Sequence, residues 1–193
     1  MIVLLFRFIR KINIFFKRCY LKWKVFCYTK LAKGRFTIHN SLKAGDNFKI
    51  RTDLSATALC ISKNITFKDG VKILLGHAGK VSIGTDCFFN NNCSINCFGI
   101  IEIGKNNQFG ENVVMYDHNH QFADNAKLIS EQGYKIGKIL IGNNCWIGSN
   151  VTILKDVVIG DNVIIGAGCI LHKSIPSDSI VVNNQDLVIK SRN

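Results

Sequence analysis

Starting at Ile141 and stepping by six, the chain reads Ile147, Ile153, Ile159, Ile165 and Leu171, a large aliphatic residue at every stop. Glycine follows four of these stops, at Gly142, Gly148, Gly160 and Gly166. Upstream the same step connects Ile83, Phe89, Ile95 and Ile101, and a shifted frame connects Ile103, Phe109 and Met115, with Gly104 and Gly110 behind the first two. A helix repeats near 3.6 residues and a strand near two, so neither produces a strict six. A parallel β-helix does: each hexad is a short strand and a turn, and three hexads close one coil of a prism. An Ile or Leu withdrawn from water contributes about 1.5–3 kcal/mol. Stacked at every sixth position, such residues make a core one side chain deep. Glycines let the backbone turn tightly, and Asn144, Asn150 and Asn162 suit turn conformations. The expectation is an all-β parallel solenoid of hexapeptide repeats.

The six-step disappears from Asp117 to Lys138 and resumes at Ile139 to Ile141. A solenoid accommodates such a break as an excursion from one corner, and long irregular segments in compact domains carry function. This excursion opens with "DHNH", placing Asp117, His118 and His120 together. Histidine takes and returns a proton near neutral pH, which suits general base chemistry.

Charge is unevenly placed. Residues 1–45 hold eleven Lys/Arg and no acid, whereas fourteen Lys/Arg face thirteen acids over 46–193. The basicity belongs to the N-terminal segment and the body is nearly neutral. In that segment Leu5, Ile9, Ile12, Phe16, Cys19 and Trp23 recur at steps of three or four, which predicts a basic amphipathic helix over 1–33. The longest apolar run, the first six residues, falls well short of the roughly 20 a membrane span requires. Such a helix fits either an anionic membrane surface or packing on the body or a partner subunit. Nucleic acid is not expected, since no recognition motif accompanies the charge. "KGRFTIHNS" from Lys33 reads as a junction, 34–64 as a connecting region and start of the solenoid, and 65–193 as the β-helix proper. The eight cysteines form no C-x-x-C pair, and Cys87, Cys93, Cys145 and Cys169 sit within the repeat. They read as small buried hydrophobes in a reducing, cytoplasmic setting.

"IGNNCWIGSNVTILKDVVIGDNVIIGAGCILHKSIP", Ile141 to Pro176, resembles the hexapeptide-repeat acyltransferases. The nearer likeness is to galactoside, maltose and O-antigen or capsule O-acetyltransferases, and it covers roughly residues 65–190. The resemblance implies a left-handed β-helix, a homotrimer with sites between subunits, acetyl-CoA as co-substrate, a sugar or polysaccharide acceptor and no metal. Carried forward without gaps, the family pattern puts the catalytic base at His120, with His118 as a second candidate. Asn90, Asp117 and Trp146 fall on the acceptor side, Trp146 fitting packing against a neighbouring subunit equally well. Coenzyme contacts fall on Ser149, Ala167, His172, Lys173 and Lys190. The chain departs from the pattern at His172, where threonine or valine is common, and at Asn184, Gln185, Asp186 and Leu187.

These features predict acetyl transfer from acetyl-CoA to a sugar hydroxyl in a surface polysaccharide or its precursor. A cytoplasmic location follows, with residues 1–33 able to hold the inner face of the membrane. N-acetylation of an amino sugar and a non-catalytic membrane-associated scaffold stay open. A metal-dependent hydratase on a similar prism needs three convergent histidines. His39, His77, His118, His120 and His172 offer no three at matching coil positions.

Overall fold

The computed structural model describes residues 2–52 and 56–184, and side chains from Ile12 onward apart from Ile14. Lys190, Gln185, Asp186 and Leu187 therefore lie outside the described residues. Each hexad forms a strand of two to four residues and a turn, and successive hexads fall on three different faces. The first face stacks six strands from Phe36–Ile38 to Val158–Ile159. The second stacks seven from Lys43–Ala44 to Ile180–Val181, and the third six from Lys49–Thr52 to Ile170–Leu171. All pair in parallel, closing six coils of a left-handed β-helix and starting a seventh. The first coil begins at Phe36, within the 34–64 stretch read as a connecting region and start of the solenoid.

Register turns the two sequence frames into continuous ladders. Ile83, Ile103 and Ile141 stack on the first face, Phe89, Phe109 and Ile147 on the second, and Ile95, Met115 and Ile153 on the third. A second inward slot lies two residues before each of these stops. Val151, Val157 and Val163 fill it in the late coils, and Cys87, Cys93, Cys145 and Cys169 fill the same slot elsewhere. The four cysteines are thus buried where the prism corner leaves room for a small side chain. Phe48, Phe67, Phe89 and Phe109 form an aromatic column through the early coils, with successive ring centroids 5.1, 5.1 and 4.3 Å apart. At the corners, Asn or Asp repeatedly takes positive φ, as at Asn112, Asn150, Asn144 and Asn162. Their carboxamides bond along the stack, Asn112 to Asn150 at 3.0 Å and Asn144 to Asn162 at 2.9 Å. Short polar side chains tolerate this conformation and satisfy one another, so the turns repeat without a glycine at each corner.

The N-terminal segment is one helix, α1, Ile2–Leu31, uninterrupted by glycine or proline. It ends where Lys33 and Gly34 adopt positive φ. Leu21, Val25 and Tyr28 pack on the core, and Ala32 is fully buried. Lys24 donates to the Phe48 carbonyl at 2.7 Å and the Tyr28 hydroxyl to that of Ile50 at 2.8 Å. The helix therefore closes the open N-terminal mouth of the prism, whose first coil has no preceding coil to cover it. The stripe legible in the sequence is a different one: Ile12, Phe16, Cys19 and Trp23 are exposed.

Candidate active site

After Tyr116, which pairs with Asn96, the next inward slot of the third face belongs to Cys97 and, one coil earlier, Leu75. On the fourth coil this slot holds Asp117, with no exposed surface. A buried carboxylate is costly unless its oxygens are satisfied. Here the Phe98 and Gly99 N–H groups each donate to it at 2.8 Å, and His118 Nδ1 lies 3.0 Å away. The arrangement depends on the preceding corner being tight. A Cβ at Gly99 would collide with the Gly137 carbonyl oxygen, and Gly137 N–H in turn donates to the Asp117 carbonyl at 2.8 Å. That bond closes the neck of the excursion. Cys97 beneath it has its thiol pushed far up, first by burial and then by the Asp117 charge.

The excursion is more ordered than its composition suggests. His118–His120 pairs antiparallel with Tyr134–Ile136, and a short 3₁₀ turn, Ile129–Glu131, shapes its far end. Gln132 fastens the tip through the Asp124 and Lys127 carbonyls at 2.9 and 3.1 Å. Phe122, Leu128 and Ile129 on that tip are exposed.

The two histidines occupy different surroundings. His118 is nearly covered and stacks face to face on Phe98, ring centroids 3.7 Å apart and planes 1° from parallel. Tyr134 meets it edge-on at 5.4 Å. With Nδ1–H donating to Asp117, Nε2 is left as the ring's acceptor and can take a proton. A carboxylate in this position favours that tautomer. His120, expected from sequence to be the base, is exposed and tilts against Tyr134 at 4.5 Å. No carboxylate pairs with it among the described residues. His118 follows the buried Asp117 directly, whereas His120 lies two residues further out along the hairpin.

Phe98, Tyr134 and His77, whose ring lies tilted against Phe98 at 4.9 Å, complete this cluster and were not singled out from sequence. Stepping back one coil from His118 reaches Phe98, and a second step reaches Gly76, the neighbour of His77. Once the coil length is known, that spacing is the signal that finds Phe98.

The remaining candidates divide between two edges of the prism. Asn90, Ser149 and Ala167 follow second-face strands of the third, fifth and sixth coils. Asn90 is half-buried, its side-chain oxygen accepting from Asn91 N–H at 2.9 Å. Ser149 Oγ accepts from Glu111 N–H at 3.1 Å, and Ala167 is exposed. Asp117, His118, His172 and Lys173 instead follow third-face strands, His172 and Lys173 both exposed after Ile170–Leu171. A face of four or five residues separates these edges by roughly 15 Å. Trp146 points outward from the second face, 59% exposed, in a row with Ile164 and Ile180. Within one chain the two halves of the expected site do not meet.

The family described as bacterial transferase hexapeptide (six repeats) matches residues 138–173, the fifth and sixth coils. A putative acetyltransferase, YvoF, of Bacillus subtilis is 37% identical over 92 residues, 48% of this chain and 48% of that one. A putative lipopolysaccharide biosynthesis O-acetyl transferase, WbbJ, of Escherichia coli is 26% identical over 140 residues, 66% of this chain and 69% of that one. Aligned regions span about half to two-thirds of the curated relatives' lengths. Among solved structures, a galactoside acetyltransferase in complex with coenzyme A superposes with a TM-score of 0.50 at 25% identity, over 84% of this chain and 68% of that one.

Proposed function

We propose that this member of the hexapeptide-repeat transferases moves an acetyl group from acetyl-CoA to a sugar hydroxyl, using sites formed between three copies of the chain. The carrying observation is the buried Asp117 holding His118 where the solenoid opens. In this reading His118 Nε2 takes the acceptor's hydroxyl proton as that oxygen attacks the thioester carbonyl. The tetrahedral adduct collapses, the C–S bond breaks, and the imidazolium returns its proton to the departing coenzyme thiolate. Asp117, hydrogen-bonded to Nδ1, stabilises the imidazolium between those two transfers. His120, beside Tyr134, flanks the acceptor rather than moving the proton.

The trimer reading is supported by the separation of the two edges. In a three-fold ring the edge carrying His118, His172 and Lys173 on one prism faces the edge carrying Asn90, Ser149 and Ala167 on the next. The exposed row of Trp146, Ile164 and Ile180, and the apolar tip of the excursion, suit cover by a neighbouring prism. Small groups at Gly166, Ala167 and Gly168 leave space for a pantetheine arm, with Lys173 available to the nucleotide phosphates and no metal required. Lys190 is placed with the coenzyme by resemblance alone.

For the acceptor, the likeness to WbbJ and to the galactoside enzyme supports a sugar of a surface polysaccharide or its lipid-linked precursor. That fits a cytoplasmic enzyme held at the membrane face. Among the described residues no helix is long and apolar enough to cross a membrane. The test is to compare His118→Gln and His120→Gln for thiol release from acetyl-CoA in the presence of a screened sugar acceptor. The His118 variant should lose about 10²–10⁴-fold in kcat while still binding acetyl-CoA. The His120 variant should change mainly KM for the acceptor. Equal kcat losses in both, or a loss confined to His120→Gln, would overturn the assignment.

A further inference from the structure

We propose that the outward face of α1 docks flat on an anionic lipid bilayer, with its aromatic side chains at the headgroup level. The helix has two apolar stripes. One, Leu21, Val25 and Tyr28, is spent on the first coil. At about 100° per residue, Ile12, Phe16, Cys19 and Trp23 lie on the opposite side. Phe16 is 65% exposed, and Tyr20 and Trp23 are each 61% exposed, with their rings 6.0 Å apart. A helix that is apolar on both sides is covered on both sides.

Charge decides what covers it. Arg18 and Lys22, both exposed, flank the stripe on one side, while Lys17 and Lys24 on the other are held by Asp46 and the Phe48 carbonyl. The first 45 residues contain no acid, and the nearby Asp46 is already paired with Lys17 at 2.7 Å. A second copy of this helix would set cation against cation, and the rest of the chain is close to neutral. An anionic headgroup layer answers both features: phosphates for the flanking cations, and the acyl boundary for the phenyl and indole rings. Docked this way, α1 lies between the membrane plane and the first coil, and His118 stands about 25 Å from the membrane, about 10 Å for the helix and about 14 Å for three coils at the spacing of stacked strands. A sugar carried on a lipid headgroup would be presented on that scale.

This inference deepens the membrane-face reading and does not depend on acetyl transfer. The experiment uses the full chain with Trp146→Phe, which leaves Trp23 as the sole tryptophan. It is mixed with phosphatidylglycerol/phosphatidylcholine vesicles, or with phosphatidylcholine vesicles alone. Co-sedimentation should be at least about tenfold stronger with the anionic vesicles and should weaken with salt. Trp23 emission should shift to the blue on binding. Phe16→Ser/Tyr20→Ser, which alters no contact with the body, should abolish both signals at unchanged circular dichroism. Acetyl-CoA calorimetry on the wild-type preparation separates failure of docking from failure of the enzyme reading. The proposal falls if the folded protein ignores anionic vesicles, or binds both kinds equally. It also falls if Trp23 is already shielded from acrylamide without lipid, which would mean a second copy covers the face.

Discussion

Asp117→Asn isolates the proposed device with the smallest change of shape. The carboxylate is fully buried and receives three donors: Phe98 N–H and His118 Nδ1–H on one oxygen and Gly99 N–H on the other. An asparagine in the same place keeps only one acceptor oxygen. Turned with Nδ2 toward Phe98 and His118, it loses two hydrogen bonds, so the favoured orientation puts Nδ2 against Gly99 N–H. That leaves two donors facing each other and one buried backbone N–H unpaired. Hydrogen bonds to a charged group contribute about 1.5–3 kcal/mol each, so unfolding stability should drop by about 3 kcal/mol. Urea denaturation would read this as a lower midpoint at unchanged slope. His118 still has a neutral oxygen to donate to, but the imidazolium loses its counter-charge, and kcat should fall about 10²–10⁴-fold with acetyl-CoA affinity retained. Adding His118→Gln to this variant should cost little more, because residues acting as one unit are not additive. A nitrogen-edited proton spectrum checks the geometry without an acceptor, since the Nδ1–H resonance shifted by the carboxylate should disappear in Asp117→Asn. A folded variant with kcat within about threefold of wild type would refute the reasoning.

A variant blocked on one edge, Ala167→Trp, and one blocked on the other, His118→Gln, should each be inactive alone. Unfolded together and reassembled, they should recover about a quarter of wild-type activity, since a mixed three-fold ring contains one interface with both edges intact. No recovery with mixed trimers demonstrated would place the site within one chain. Gly99→Ala should be destabilised by about 1–3 kcal/mol, because its methyl group meets the Gly137 carbonyl at the neck of the excursion. Acetyl transfer should fall with it, and a thermal melt matching wild type would contradict the packing. Thiol labelling at pH 8 should reach the exposed Cys19 and Cys60 quickly and leave Cys93 and Cys97 unmodified until the protein unfolds. Burial pushes the Cys93 thiol up to about 11 and Cys97 further, so raising the pH from neutral toward 9 generates almost no thiolate at either. Rapid loss of all eight thiols in the folded protein would show that these slots are open.

Sequence periodicity exposed the core because a solenoid one side chain deep has to repeat its inward residue in every hexad, and Ile141 to Leu171 do so without exception. The second inward slot was less visible, since cysteine and valine there look unremarkable until the corner geometry shows them enclosed. On α1 the regular stripe from Ile12 to Trp23 was plain, yet it faces away from the body. Leu21, Val25 and Tyr28 were obscured by the lysines between them. The break at Asp117 was legible as an interruption of the repeat, but the burial of Asp117 and the different surroundings of His118 and His120 were not. They follow from Asp117 continuing the inward ladder of Leu75 and Cys97, a matter of coil register that counting along one strand does not show. The proposed pairing of edges across subunits is further removed still, because hexad spacing describes one prism and says nothing of its neighbours.

Calorimetric titration of acetyl-CoA into the purified protein, with the oligomeric state read by light scattering, tests the central claim most directly. Saturable binding with one coenzyme per chain, displaced by free CoA, in a protein that scatters as a trimer is the predicted result. Absence of binding at millimolar ligand by a folded trimer would contradict the acetyltransferase account.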